Sequence, residues 1–161
     1  MIIGLARLDD RLIHGQVALV WTKEAKVSRI IVVSDEVSKD SLRSTLLKQA
    51  APPGITASIV DVAKALRVFN NPKYVKDRVM FLFTTPLDVE RVIETGIPIN
   101  VLNIGGVSYK EGKKGLTKAV FLNQEEADSL KRLAENGVEL DVRVLVNDSK
   151  EDMIALINKN F

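Results

Sequence analysis

The strongest constraint on the fold is an alternation between short, fully apolar runs and longer amphipathic segments. The clearest runs lie at residues 29–34 and 78–84, where apolar residues are nearly continuous. Continuous apolar runs of this length are typical of strands buried on both faces. Helical segments separate them, and strands joined by helices need crossover connections. The pattern therefore predicts an α/β fold: an open, twisted, mostly parallel sheet with helices on both faces.

The apolar periodicity and the capping residues also predict where each element lies. Residues 139–146 alternate between polar and apolar, which predicts a half-exposed edge strand and leaves its direction, parallel or antiparallel, open. Strands are predicted at residues 2–6, 29–34, 56–60, 78–84, 99–104, 119–122 and 139–146. Helices are predicted at residues 16–25, 38–50, 62–69, 85–96, 123–137 and 149–158. Gly105-Gly106 is interpreted as a tight turn and residues 106–118 as a surface loop. No linker or repeat interrupts the pattern, so residues 1–161 are predicted to form one domain.

Composition excludes several classes of protein. The net charge is +2 and basic residues are interleaved with acidic ones, which argues against a nucleic-acid partner. The chain has no cysteine, so disulfides, thiol nucleophiles and thiolate metal sites are excluded. No apolar stretch approaches the roughly 18 to 20 residues that span a bilayer. We therefore expect a cytoplasmic protein that does not insert into the membrane.

The single histidine, His14, lies between the first predicted strand and the first predicted helix. In open α/β sheets, ligands bind beyond the carboxyl ends of the strands, where this loop and those after the second, fourth and fifth strands are expected. The backbone N–H groups of Gly15, Gln16 and Val17 would point toward an anion there, and the helix dipole would favour it. The position predicts an anion-binding site.

Four charged residues accompany His14. Arg7 and Arg11 can bind an anion through paired hydrogen bonds, and Asp9 or Asp10 can orient the imidazole. This combination suits a histidine that accepts a phosphoryl group, because the guanidinium groups would stabilise charge on the phosphoryl oxygens. The residue chemistry leaves open a structural histidine beside surface ion pairs.

Other chemistries find less support in the sequence. A zinc site needs more ligands than one histidine provides, and a magnesium site built from Asp9, Asp10 and Asp35 would be opposed by the neighbouring arginines. The sequence contains no nucleophile elbow and no glycine-rich nucleotide-binding motif. No metal and no other cofactor is expected.

The motif Arg-Leu-Asp-Asp-Arg-Leu-Ile-His-Gly-Gln-Val at residues 7–17 resembles the active-site loop of a known family. This family comprises the IIB subunits of the mannose/fructose/sorbose family of the sugar phosphotransferase system. Further matching blocks occur in order at residues 28–36, 51–54, 60–64, 70–74, 103–106 and 137–140. The resemblance covers almost the whole chain, and its first strand begins the chain as in a separate IIB protein.

The resemblance implies a function and a set of site residues. His14 would be phosphorylated at Nδ1 by a IIA protein or domain and would pass the group to a hexose held by the membrane subunits IIC and IID. The hexose would be of the mannose, fructose, sorbose or amino-sugar class. Arg11 and Arg43 match arginines that the family has beside the histidine and in the second helix, and Asp10 matches a position of the family loop. With the residue chemistry of the loop, this predicts His14, Arg11 and Asp10 as catalytic residues. The predicted phosphate-binding residues are Arg7, Arg11, Gly15, Gln16 and Arg43. The protein would be cytoplasmic and associate with the membrane peripherally through IIC and IID.

Two other functions are weighed against this one. The chain could be a regulatory module that docks on a phosphorylated partner through Arg7 and Arg11 without accepting the group. It could also be an enzyme that uses His14 as a general base. Leu12 and Ile13 are expected either to contact a partner or to be buried under the first helix.

Overall fold

The computed structural model describes residues 1–161 and contains a six-stranded sheet. All of its strand pairs are parallel, and the spatial order is β3-β2-β4-β1-β5-β8. The strands are β1 (Ile2–Asp9), β2 (Arg29–Val33), β3 (Thr56–Val60), β4 (Arg78–Phe83), β5 (Val101–Gly106) and β8 (Glu139–Val142). A separate antiparallel pair consists of β6 (Lys114–Gly115) and β7 (Phe121–Leu122). The predicted α/β class is confirmed.

Seven α-helices and one 3-10 turn (Pro72–Tyr74) connect the strands. The helices are α1 (Gly15–Glu24), α2 (Asp35–Lys39), α3 (Ser41–Gln49), α4 (Val62–Phe69), α5 (Pro86–Glu94), α6 (Gln124–Glu135) and α7 (Met153–Asn160). A side-chain oxygen caps the first turn of every helix except α1, which begins after His14. None of the helices has the length and hydropathy needed to cross a bilayer.

Each face of the sheet has its own apolar core. The larger cluster joins the sheet to α4, α5, α6 and α7, and the smaller one joins it to α1, α2 and α3. Alternate residues of a strand enter different clusters, as Ile31 and Ile30 of β2 do. Each fully buried aliphatic side chain contributes about 1.5–3 kcal/mol to stability. Helices therefore cover both faces, as the sequence pattern predicts.

Among the predicted elements that differ from the structure, two differ for identifiable reasons. The single helix predicted at residues 38–50 is two helices, because Asp40 leaves the helical conformation and its carboxylate accepts from Arg43 N–H to start α3. The edge strand ends at Val142 and is parallel to β5, because α6 returns the chain across one face of the sheet. An antiparallel edge strand is therefore wrong.

Asp35 provides a test of how α2 is joined to its neighbours. The backbone N–H of Val62 and the guanidinium of Arg91 hold the pKa of Asp35 below its ordinary value. A depressed pKa stabilises the fold above the unfolded pKa of about 3.9, and this contribution is lost as the pH falls through the folded pKa.

We expect Asp35→Asn to lower the free energy of unfolding at about pH 7 by less than about 1 kcal/mol, since the side chain is 40% exposed. The difference from wild type should disappear near about pH 2. Urea unfolding at both pH values measures it, and an equal difference at both would contradict the assignment.

Candidate active site

The loops that follow β1, β2, β4 and β5 meet at the carboxyl edge of the sheet, as predicted. Between them lies a cavity of about 370 Å3 with an almost wholly polar lining. The lining includes Asp10, Arg43, Thr84, Ser108 and Lys110. The first loop, which carries His14, therefore joins the three other loops at the edge where ligands of such sheets bind.

The imidazole of His14 is held by the backbone of its own loop. Nδ1 lies 2.8 Å from the carbonyl oxygen of Leu12, which can only accept, so Nδ1 donates this hydrogen bond. Nε2 is buried and has no hydrogen-bond partner. Leu12 has a φ of 61°, in the left-handed region that a non-glycine residue seldom adopts. The side chains of Leu12 and Ile13 are buried in the smaller core. Of the two alternatives, contact with a partner or burial, the structure shows burial for both.

Asp9 does not contact the imidazole but joins two arginines. Its carboxylate is fully buried and accepts from Arg7 Nη2 at 2.9 Å and from Arg11 Nε and Nη2, each at 3.0 Å. The backbone N–H of Arg11 donates to it as well, at 3.2 Å. Hydrogen bonding to Asp9 raises the pKa of Arg11. The expectation that Asp9 or Asp10 orients His14 is wrong, because both carboxylates are engaged elsewhere.

Asp10 instead fixes the loop that follows β5. Its two carboxylate oxygens accept from the backbone N–H and the hydroxyl of Ser108, both at 2.8 Å. The backbone N–H of Asp10 donates to the carbonyl of Gly106 at 3.1 Å. Asp10 therefore acts on the shape of the cavity wall rather than on the imidazole.

Arg7 is the largest departure from the predicted site. Its side chain is 1% exposed, so its expected role as a direct phosphate ligand is wrong. The guanidinium donates to the side chain of Asn103 and to the carbonyl oxygens of Arg143 and Val144. Burial lowers the pKa of Arg7, and the charge of Asp9 opposes this shift.

Gly105 and Gly106 belong to β5 and do not form the predicted tight turn. A Cβ at Gly105 would overlap the guanidinium of Arg7, and one at Gly106 would lie 3.0 Å from Nη2 of Arg11. The two glycines therefore leave room for two neighbouring guanidinium groups.

The remaining predicted residues lie around the loop. The side chain of Arg11 is 44% exposed, and its Nη1 has no partner. Gly15 and Gln16 are exposed in the uncapped first turn of α1. Arg43 shares the cavity with Asp10, and its guanidinium makes no ion pair or hydrogen bond. Three or more potential metal-ligating side chains come together nowhere in the structure, and this includes the three aspartates weighed for magnesium.

The sequence reasoning missed several residues of this network. Asn103 is fully buried in the middle of β5, and its polar side chain in an otherwise apolar strand is a signal that could have marked it. The single tryptophan, Trp21, packs against Arg7 with 5.0 Å between the guanidinium carbon and the ring centre. Arg143 and Ser108 carry no sequence signal of their own, because only the fold brings them to the site.

Comparisons with known proteins place the chain in a family. Residues 3–161 match the family model described as PTS system sorbose subfamily IIB component. The chain belongs to this family of phosphotransferase-system components. The predicted family is confirmed.

Individual relatives agree with this assignment. The PTS system sorbose-specific EIIB component of Lacticaseibacillus casei is 52% identical over 161 residues, which is 100% of this chain and 98% of that protein. The PTS system mannose-specific EIIAB component of Escherichia coli K12 is 56% identical over 99% of this chain, which spans only 49% of that longer protein. The crystal structure of the IIBSor domain of the sorbose permease from Klebsiella pneumoniae superposes with a TM-score of 0.96 at 46% identity, covering 100% of this chain and 99% of the other.

The two aspartates of the loop should differ sharply in their contribution to stability. Asp9→Asn leaves Arg7 buried without a counter-ion, which we expect to lower the free energy of unfolding by about 3 kcal/mol. Asp10→Asn removes contacts at the surface and should lower it by about 1 kcal/mol or less. Urea unfolding of both variants measures this, and equal losses would contradict the burial of the Arg7–Asp9 pair.

The contact with Leu12 also predicts the tautomer of His14. In the neutral ring, Nδ1 should carry the proton and Nε2 the lone pair. Two-bond proton–nitrogen correlation NMR on 15N-labelled protein distinguishes the two ring nitrogens. A proton on Nε2 in the unbound protein would contradict the hydrogen bond to Leu12.

Proposed function

We propose that this protein is a phosphoryl carrier of a sugar phosphotransferase system and that residues 1–161 act as one IIB unit. His14 accepts the phosphoryl group from a phosphorylated IIA protein or domain and passes it to a hexose held by the IIC and IID subunits during uptake. The observation that carries the proposal is the lone histidine beside Arg11 at the carboxyl edge of the sheet, in a chain that belongs to the IIB family.

Each of the two transfer steps forms one bond to phosphorus and breaks another. A ring nitrogen of His14 attacks phosphorus with its lone pair, while the bond to the donor imidazole breaks and its electron pair stays on the donor. Negative charge on the phosphoryl oxygens is stabilised by the free Nη1 end of Arg11 and by the uncapped N–H groups at the start of α1. In the second step a sugar hydroxyl oxygen attacks phosphorus and forms a phosphorus–oxygen bond. The bond to His14 breaks, its electron pair returns to the imidazole, and the hydroxyl proton passes to solvent.

The resemblance implies Nδ1 as the attacking nitrogen. In the unbound protein Nδ1 donates to the carbonyl of Leu12, so it has no free lone pair for the attack. We infer that this contact opens and that the ring proton moves to Nε2 when His14 reacts through Nδ1. Nε2 is buried and without a partner in the unbound state.

The names of the relatives support the partners and the substrate class. A relative that carries A and B components in one chain supports a IIA protein as donor. Relatives named for mannose, sorbose and fructose support a hexose as acceptor. We propose that the protein works at the cytoplasmic side of the membrane, bound peripherally to IIC and IID.

Phosphorylation of His14 is tested directly by mass spectrometry. Incubation with phosphoenolpyruvate, the general phosphotransfer proteins and a cognate IIA should add one phosphoryl group, in an acid-labile and alkali-stable form. His14→Ala should gain none. If His14→Ala gains the same label, or if the wild type binds phosphorylated IIA without gaining the group, the carrier function is wrong.

The role of Arg11 predicts a defect in rate. Arg11→Gln removes the charge that faces the phosphoryl oxygens and should slow labelling about 100-fold. Arg67→Gln is a matched control, since Arg67 is an exposed arginine on α4. Quench-flow labelling compares the two, and a wild-type rate in Arg11→Gln would exclude Arg11 from the transfer step.

A further inference from the structure

We propose that Arg7 is a positioning residue of the phosphoryl-transfer site, which acts through Asp9 to hold Arg11 and does not itself touch the phosphoryl group. The inference rests on the proposed function of His14 and Arg11. It gives a role to the only buried arginine of the chain, which the transfer step does not use directly.

The contacts of Arg7 all point into the protein. Its two terminal nitrogens donate to the side chains of Asn103 and Asp9 and to the backbone oxygens of Arg143 and Val144. The ring of Trp21 covers its face at 5.0 Å. A guanidinium with this many partners is fixed in one orientation, and its 1% exposure leaves no route to a ligand.

Asp9 transmits this orientation to Arg11. Its Oδ2 accepts from Nη2 of both arginines, and its Oδ1 accepts from Nε and the backbone N–H of Arg11. Arg11 is therefore held along its Nε–Nη2 edge, and Nη1 remains at the open end. A planar guanidinium held along one edge has a defined direction, which a single ion pair would not give it.

Arg7 is in turn fixed by a row of residues across three strands. Arg7, Asn103 and Asp141 are paired in register on β1, β5 and β8. The amide of Asn103 donates to the carbonyls of Asp141 and Arg143 at 3.1 and 3.3 Å. The sheet therefore sets the position of Asn103, and Asn103 sets that of Arg7.

Trp21 fixes the same row from the side of α1. Its Nε1 donates to the carbonyl of Val144 at 2.9 Å, the oxygen that also accepts from Arg7. Its ring lies near the guanidinium groups of Arg7 and Arg143, at 5.0 and 5.4 Å. Arg7 is therefore held by the sheet, through Asn103, and by α1, through Trp21.

Stability alone gives no reason for this arrangement. Replacing a buried ion pair with apolar side chains of similar volume is often neutral or stabilising. Apart from the arginine at the start of each, β2 and β4 contain only apolar residues. The row of polar and charged residues in β1, β5 and β8 is explained by the guanidinium of Arg11, which it orients at the surface.

A double-mutant cycle tests whether Arg7 acts through Arg11. Arg7→Lys keeps the charge but cannot make the same set of hydrogen bonds. We expect it to lower the maximal rate of transfer from phosphorylated IIA at least about 10-fold, with the half-saturating IIA concentration changed by less than about two-fold. Arg7→Lys combined with Arg11→Gln should be no slower than Arg11→Gln alone. Equal slowing by Arg7→Lys in both backgrounds would overturn the proposal.

A second variant keeps the test valid if Arg7→Lys does not fold. Gly105→Ala changes no charge but places a Cβ on the guanidinium of Arg7. It should slow transfer in the wild-type background and have no effect beside Arg11→Gln. A wild-type rate for Gly105→Ala would overturn the proposal.

Arg29→Lys is the matched control for both variants. Arg29 also pairs with an aspartate, Asp77, at 3.2 Å and lies over an aromatic ring, Tyr74, at 4.9 Å, but at the start of β2. Its transfer rate should equal that of wild type. Wild-type protein that fails to label on His14 would refute the proposed function, whereas normal labelling with an additive cycle would refute only the role of Arg7.

Discussion

The buried ion pair between Arg7 and Asp9 is the interaction on which the loop and its histidine depend. It joins the end of β1 to Arg11, to β5 and to the segment after β8. Removing one member of such a pair leaves an uncompensated buried charge, which costs about 3–5 kcal/mol. The loop that carries His14 is therefore built on a pair that tolerates few alternatives.

The pair also explains why one face of the sheet is apolar along β2 and β4 but polar along β1, β5 and β8. On the face of the smaller core, β2 and β4 present aliphatic side chains to α1, α2 and α3. On the same face, β1, β5 and β8 carry Arg7, Asn103 and Asp141, while their alternate residues enter the larger core. Trp21 covers this polar region, so that an apolar surface and a satisfied polar network coexist on one face.

The sequence predicted the sheet well because buried parallel strands and capped helices have local signals. The sequence pattern was least informative where contacts between distant or competing residues determine the local structure. Asp40 divides the predicted second helix through a cap that competes with helical periodicity. The direction of β8 depends on the crossover through α6, which no residue of β8 encodes.

The sequence predicted where the candidate site lies. It predicted the contacts of the individual residues only in part. His14, Arg11 and the start of α1 lie where a strand end followed by a helix should place them. Arg7 and Asp9 alternate along a strand and so share a face, but the sequence does not show that the fold buries this face. Asn103, Trp21 and Arg143 reach Arg7 from sequence positions far along the chain, and such contacts leave no local pattern.

Hydrogen exchange of the guanidinium groups tests the central claim most directly. The Nε–H of Arg11 should exchange slowly with water, measured by 15N-resolved NMR, because Asp9 holds it while the rest of the side chain is partly exposed. The exposed Arg67 should exchange at the rate of a free arginine. Slow exchange at Arg11 that becomes fast in Gly105→Ala is the result expected from a guanidinium oriented by Arg7 through Asp9. Exchange at Arg11 as fast as at Arg67 in the wild type would contradict this account of the site.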